Sequence, residues 1–82
     1  MNIEDAKERI FVRLCREYRI HGAAGQVAWK GLFQELDLPE DVFVEAMNEL
    51  RAAADLYVTL AEDHNSIRLG KIWRDRCGGL SQ

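Results

Sequence analysis

The apolar residues of this chain change their spacing once, near residue 55, and this change constrains the fold strongly. Before it they recur every three or four residues, which predicts amphipathic helices. After it, Leu56, Val58 and Leu60 alternate with Tyr57 and Thr59, the spacing of a half-buried strand. Because 82 residues leave room for one domain, the sequence predicts a single small α+β domain.

Three helices are predicted before the change in spacing. The first begins after Asn2, an N-cap residue followed by acidic residues, and ends near Ile20, before a glycine cap at Gly22. The second spans about Trp29–Leu36. Pro39 opens the third, because proline is tolerated in the first turn of a helix. The sequence therefore predicts a helix, a tight turn and another helix before the strands.

A two-stranded antiparallel hairpin and a tail are predicted after the change. The strand at residues 56–60 is followed by a polar turn at residues 61–65 and by a second alternating segment, Ser66–Leu69. Val27 is a candidate for a very short strand between the first two helices. Residues 1–70 are thus expected to form the domain, and residues 71–82 a tail that is partly ordered at most.

The cysteines and histidines do not have the spacing of a metal site. Cys15 and Cys77 are far apart and belong to no Cys-x-x-Cys pair, so neither a disulfide framework nor a zinc site is expected. His21 lacks an accompanying nucleophile and carboxylate, and no other catalytic constellation is present. We therefore expect no enzymatic activity, no cofactor and no metal, and we identify no small-molecule substrate.

Charged residues interrupt the first 20 positions, which argues against a signal peptide and predicts a cytoplasmic protein. No segment approaches the roughly 18 apolar residues that a membrane span requires. A membrane partner is therefore not expected.

The order of predicted elements resembles a winged helix-turn-helix domain, with three helices and a two-stranded hairpin as the wing. The resemblance covers about residues 8–70. The apolar positions that carry it are Leu32, Leu36, Leu38-Pro39, Val42, Ala46, Leu50 and Leu56-Tyr57-Val58. The chain departs from the family pattern at Ala28, where a small capping residue often opens helix two, and at Ala54-Asp55, where a glycine often ends helix three.

The resemblance implies that helix three enters the major groove of DNA and that the wing contacts the backbone or the minor groove. At 100° per residue, however, the predicted outer face of helix three carries acidic residues that phosphates repel. Residues 35–63 contain nine acidic residues and one basic residue, a net charge of −8, whereas residues 1–34 and 64–82 carry net charges of +2 and +3. The charge pattern therefore opposes the groove-binding role.

Two functions remain open. The first is a protein-interaction or self-association module that uses helix three. Its candidate partner-binding residues are Asp41, Val44, Glu45, Asn48, Arg51 and, if exposed in the tail, Trp73. The alternative is a DNA-binding transcriptional regulator that uses helix one and the wing. Its candidate nucleic-acid-binding residues are Arg9, Arg13, Arg16, Asn48, Arg51, His64, Asn65, Arg68 and Lys71. A solvated outer face is the favoured explanation for the arginines of helix one and for Arg68, Lys71, Arg74 and Arg76. A polar turn is the favoured explanation for His64 and Asn65.

Overall fold

The computed structural model describes residues 2–80 of the chain and confirms the predicted α+β class. A 3₁₀ turn at Gly22–Ala24 follows the first helix. The elements in chain order are α1 (Ile3–His21), β1 (Val27–Ala28), α2 (Leu32–Glu35), α3 (Glu40–Ala52), β2 (Val58–Leu60), β3 (Ser66–Leu69) and α4 (Lys71–Leu80).

The strands form one antiparallel sheet in the order β1-β3-β2. Val58 pairs with Leu69 and Leu60 pairs with Ile67 in the hairpin, and Val27 pairs with Ile67 on the other side of β3. The sheet therefore has one strand more than the predicted hairpin, because the candidate strand at Val27 adds to its edge. The predicted start at Leu56 is wrong: this side chain is exposed and the first paired residue is Val58.

Helix α1 begins and ends where its capping residues predict. The Asn2 side chain accepts a hydrogen bond from the Asp5 backbone N–H at 2.8 Å. Gly22 ends the helix with a φ of 67° and donates its backbone N–H to the Tyr18 carbonyl. The buried face of α1 includes Ile10 and Phe11 and packs against α3 and β3. Helix α1 therefore packs against both the helical part and the sheet of the domain.

Helix α2 is shorter than predicted. It begins at Leu32 because Gly31 has a φ of 84°, a left-handed conformation that interrupts the helix. Trp29 lies outside α2, and its indole Nε1–H donates to the His64 carbonyl in the hairpin turn at 3.3 Å. After α2, a tight turn leads to Pro39 as the N-cap residue of α3, in agreement with the predicted break.

Residues 71–80 form a helix where the sequence predicts a partly ordered tail. The backbone N–H groups of Gly70, Lys71 and Ile72 donate to the carbonyls of Tyr57, Asp55 and Leu56 at 2.7 to 2.9 Å, which positions the start of α4. The Trp73 ring then packs edge-on against Phe11 and Tyr57, with ring centroids 5.2 and 5.7 Å apart. Helix α4 therefore shares the core of the domain. Residues 81 and 82 of the predicted tail lie outside the described residues.

A disulfide bond joins α1 to α4. The Sγ atoms of Cys15 and Cys77 are 1.99 Å apart and their Cα atoms 5.6 Å apart. Both residues are buried. The expectation that no disulfide forms is wrong, because α4 returns to the side of α1 and brings together two cysteines that are 62 positions apart.

Candidate functional site

The outer face of α3 is exposed, as its helical spacing predicts. We call Glu40, Asp41, Val44, Glu45 and Asn48 the acidic face; these residues line one shallow depression. All five are exposed, and Val44 retains 49% of its accessible surface. This face combines an apolar side chain with three carboxylates at the surface.

The carboxylates of the acidic face have no ion-pair partner in the described part of the chain. No basic side chain of residues 2–80 lies within 4.0 Å of Glu40, Asp41 or Glu45. By contrast Glu49, beside this face, accepts a hydrogen bond from the Lys7 ammonium at 2.8 Å. That bond raises the pKa of Lys7, with a smaller contribution from Glu4. Glu49 is thus part of the α1–α3 contact, whereas the acidic face keeps its negative charge.

Two predicted partner-binding residues do not belong to the acidic face. Trp73 is only 6% exposed and lies inside the core, so its predicted role as an exposed anchor is wrong. Arg51 is exposed near the end of α3, but it lines a second depression with Asp55 and Thr59 on the hairpin side. Of the predicted set, Asp41, Val44, Glu45 and Asn48 come together.

The predicted phosphate-binding arginines of α1 are largely engaged within the molecule. Arg9 Nη1–H donates to the Leu36 carbonyl at 3.0 Å. Arg13 donates to Glu17 at 2.7 Å and to Glu35 at 3.0 Å. The hydrogen bond with Glu17 raises the pKa of Arg13 and lowers the pKa of Glu17. Arg16 is exposed and has no carboxylate within 4.0 Å among the described residues, so only Arg16 of the three keeps its donors open.

The hairpin end forms a polar turn. The Asp63 side chain accepts hydrogen bonds from the backbone N–H groups of Asn65 and Ser66, at 2.9 and 3.2 Å. His64 has a φ of 59°, and both His64 and Asn65 are exposed at the tip. Local turn hydrogen bonding explains this pattern. The tip is nevertheless accessible to a ligand.

The predicted basic group after the hairpin separates into two parts. Arg68 donates to Gln26 at 3.1 Å, and it lines a cleft with Lys71, Arg74 and Tyr18. Arg76 instead forms an ion pair with Glu8, and its guanidinium carbon lies 4.1 Å from the centre of the Phe11 ring. Arg76 therefore helps to hold α4 against α1.

Sequence reasoning missed an apolar groove on the outer side of α1. Val12 is 58% exposed and lines this groove with Leu36, which is half-buried. Arg9, Arg13 and Arg16 line it too. The available signal was the four-residue spacing of Val12, Arg16 and Ile20, which places two apolar residues on the solvent side of the helix.

Comparison of the chain with models of known protein families found no match, and the comparisons with curated proteins and with solved structures found none either. Within residues 2–80, no three His, Cys, Asp or Glu side chains converge as metal ligands would. No helix in the same range is long and apolar enough to cross a membrane. The exposed surfaces described above are therefore the features of this chain that point to a function.

Proposed function

We propose that this chain is a non-enzymatic winged-helix module that binds a protein partner through the acidic face of α3. The order α1, β1, α2, α3 and hairpin supports the winged-helix assignment, and α4 is an addition to that order. The observation that carries the function is the exposure of Val44 among carboxylates that have no ion-pair partner within the described residues.

The charge of this face selects the chemistry of the partner. A phosphate backbone would place negative charge against Asp41 and Glu45, and like charges across an interface cost binding free energy. A protein surface with an apolar pocket between lysines or arginines would bury Val44 and pair the carboxylates. Such an interface has the apolar centre and polar rim of specific protein contacts. The acidic face therefore favours a basic protein partner over DNA.

A model peptide tests this proposal directly. An amphipathic helical peptide of leucine and lysine, titrated into ¹⁵N-labelled protein, should shift amide resonances of residues 40–48 and leave the hairpin end unchanged. Glu45→Lys should weaken binding about tenfold or more, because it places like charges together. Glu62→Lys is the matched control: it makes the same charge change at an exposed acid in the hairpin end.

Two results would contradict the proposal. One is a set of shifts spread over every exposed acid. The other is an equal loss of affinity in Glu45→Lys and Glu62→Lys, since net charge alone would then explain the binding. A peptide of leucine and glutamate should not bind, which controls for general apolar adhesion.

DNA binding is the second candidate function, because Arg16, His64, Asn65 and Lys71 are exposed and the element order resembles a DNA-binding family. Fluorescence anisotropy with random-sequence duplex at about 50 mM salt tests it, since phosphate contacts are strongest at low salt. We expect no saturable binding at tens of micromolar protein. If binding occurs, Arg68→Ala and Lys71→Ala should each reduce the salt slope by roughly one unit. An unchanged slope would exclude both as phosphate contacts.

A further inference from the structure

We infer that the partner of the acidic face is the α1 groove of a second copy of this chain, in a reciprocal two-fold dimer. This inference depends on the proposed function, which it makes specific. The α1 groove comprises Val12, Leu36 and the side chains of Arg9 and Arg16 that border them.

The α1 groove offers apolar surface that lacks a partner within the monomer. Val12 is 58% exposed and lines the groove beside Leu36, which is half-buried. Exposed aliphatic residues that lie singly are common, but Val12 lies against a second apolar side chain in a groove bordered by charged residues, and such an arrangement is typical of an interaction surface.

Two arginines at the groove also have no ion-pair partner among the described residues. Arg16 has no carboxylate within 4.0 Å among the described residues. Arg9 bonds only to the carbonyls of Leu36 and Asp37, and neutral carbonyls leave its charge intact. Arg13 and Glu8, which also line the groove, are already paired, with Glu17 and with Arg76. The free charge at this surface is therefore positive.

The two surfaces match in both properties. The acidic face presents Val44 between Asp41 and Glu45, and the α1 groove presents Val12 between Arg9 and Arg16. Burial of the valines against each other would bring opposite charges together around them, so one contact satisfies the apolar and the charged groups of both surfaces.

The two surfaces lie on either side of the α2–α3 turn, which explains why a closed dimer is possible. Arg9 of the groove contacts the Leu36 and Asp37 carbonyls, and Glu40 of the acidic face begins α3 three residues later. Adjoining surfaces can engage a second copy reciprocally, so that each protomer gives one helix face and receives another. Because the contact occurs twice, each protomer buries two patches, and both count toward the roughly 800 Å² that each protomer buries in a stable interface.

A charge exchange between two variants tests the dimer. Sedimentation equilibrium at about 50 mM salt, where screening is weak, should give twice the monomer mass for the wild-type chain. Glu45→Lys alone should be monomeric, because it places a positive side chain against Arg16 of the second copy. Arg16→Glu alone should be monomeric, because it places a carboxylate against Glu45 of the second copy. An equimolar mixture of the two variants should recover the dimer, since each of its two contacts again joins opposite charges.

Arg74→Glu is the matched control, because Arg74 is an exposed arginine on α4 outside both surfaces. It should dimerise as the wild-type chain does. Circular dichroism establishes that each variant is folded, and Arg16→Gln replaces Arg16→Glu if the latter is not. Arg16→Gln is measured alone, without the mixture, and the dissociation constant of its dimer should be about tenfold higher than that of the wild-type dimer.

The inference is overturned if the wild-type chain is monomeric at every concentration, or if the mixture stays monomeric while the wild-type chain dimerises. The proposed function fails separately, through the peptide titration. If the chain binds the lysine peptide at residues 40–48 but remains monomeric, the proposed function stands and only the second copy is excluded as the partner.

Discussion

At the scale of single residues, Ala54 holds a conformation that suits glycine. It follows the last turn of α3 with a φ of 57°, the left-handed region that carries a steric cost for residues with a Cβ atom. Ala54→Gly should raise the free energy of unfolding by about 0.5–1 kcal/mol in urea denaturation, because the lost strain exceeds the added chain entropy.

Ala52→Gly provides the control for this prediction. Ala52 is exposed and is the last residue of α3, so a glycine there loses helix propensity without relieving strain. It should lower the free energy of unfolding by up to about 1 kcal/mol. If both glycine substitutions changed the free energy of unfolding in the same direction, the left-handed conformation of Ala54 would not be the cause of the effect.

Glu17 makes stability depend on acid pH. The Arg13 guanidinium lowers the pKa of this carboxyl from 4.5, so the folded chain binds fewer protons there than the unfolded chain. The pair with Arg13 therefore stabilises the fold above pH 4.5. This stabilisation is lost as the pH falls through the lower pKa that Glu17 has in the folded chain. Urea denaturation from about pH 3 to pH 7 should show a shallower acid-side decline in Glu17→Gln than in the wild-type chain. Glu62→Gln, at an exposed acid with no ion pair in the described chain, should keep the wild-type profile. An unaltered profile in Glu17→Gln would contradict this assignment.

At the scale of elements, the Cys15–Cys77 bond secures α4. Only two side chains described in α4, Trp73 and Cys77, are buried, so the disulfide supplies a large part of its attachment. A bond that closes a loop this long typically stabilises by about 2–4 kcal/mol. Reduction should lower the free energy of unfolding by that amount in denaturant titrations.

Hydrogen exchange gives the local measurement for α4. On reduction, the amides of residues 74–77 should exchange faster while those of α1 and α3 stay protected. The Cys15→Ser/Cys77→Ser double variant should not respond to the reductant. Unchanged exchange in α4 would show that Trp73 and the Arg76–Glu8 pair suffice to hold it. Disulfides persist mainly in oxidising compartments, so the Cys15–Cys77 bond does not support the predicted cytoplasmic location.

At the scale of the whole molecule, opposite charges are concentrated in different segments of the chain. Residues 35–63 carry a net charge of −8, and the segments on either side are positive. An association that joins the acidic face to the α1 groove should weaken as salt rises from about 50 mM to about 500 mM, because exposed charges are then screened. Sedimentation equilibrium across this range measures the effect. Association that strengthens with salt would indicate a purely apolar contact.

Much of the candidate site was predictable because it depends on one helix. The spacing of Asp41, Val44, Glu45 and Asn48 places them opposite Phe43 and Leu50, whichever element α3 packs against. The α1 groove was harder to predict. Its apolar residues are Val12 of α1 and Leu36, which follows α2, and the hydrogen bond from Arg9 to the Leu36 carbonyl depends on how the end of α2 lies against α1.

The amino-acid sequence by itself determined the features that local forces set. These are the N-cap at Asn2, the glycine end of α1, the start of α3 at Pro39, the outward acidic face and the hairpin turn. Only the tertiary structure decided the position of α4, the Cys15–Cys77 bond and the burial of Trp73. The physical reason is range: caps and helix faces depend on residues within four positions, whereas these contacts form only after the chain has folded back on α1.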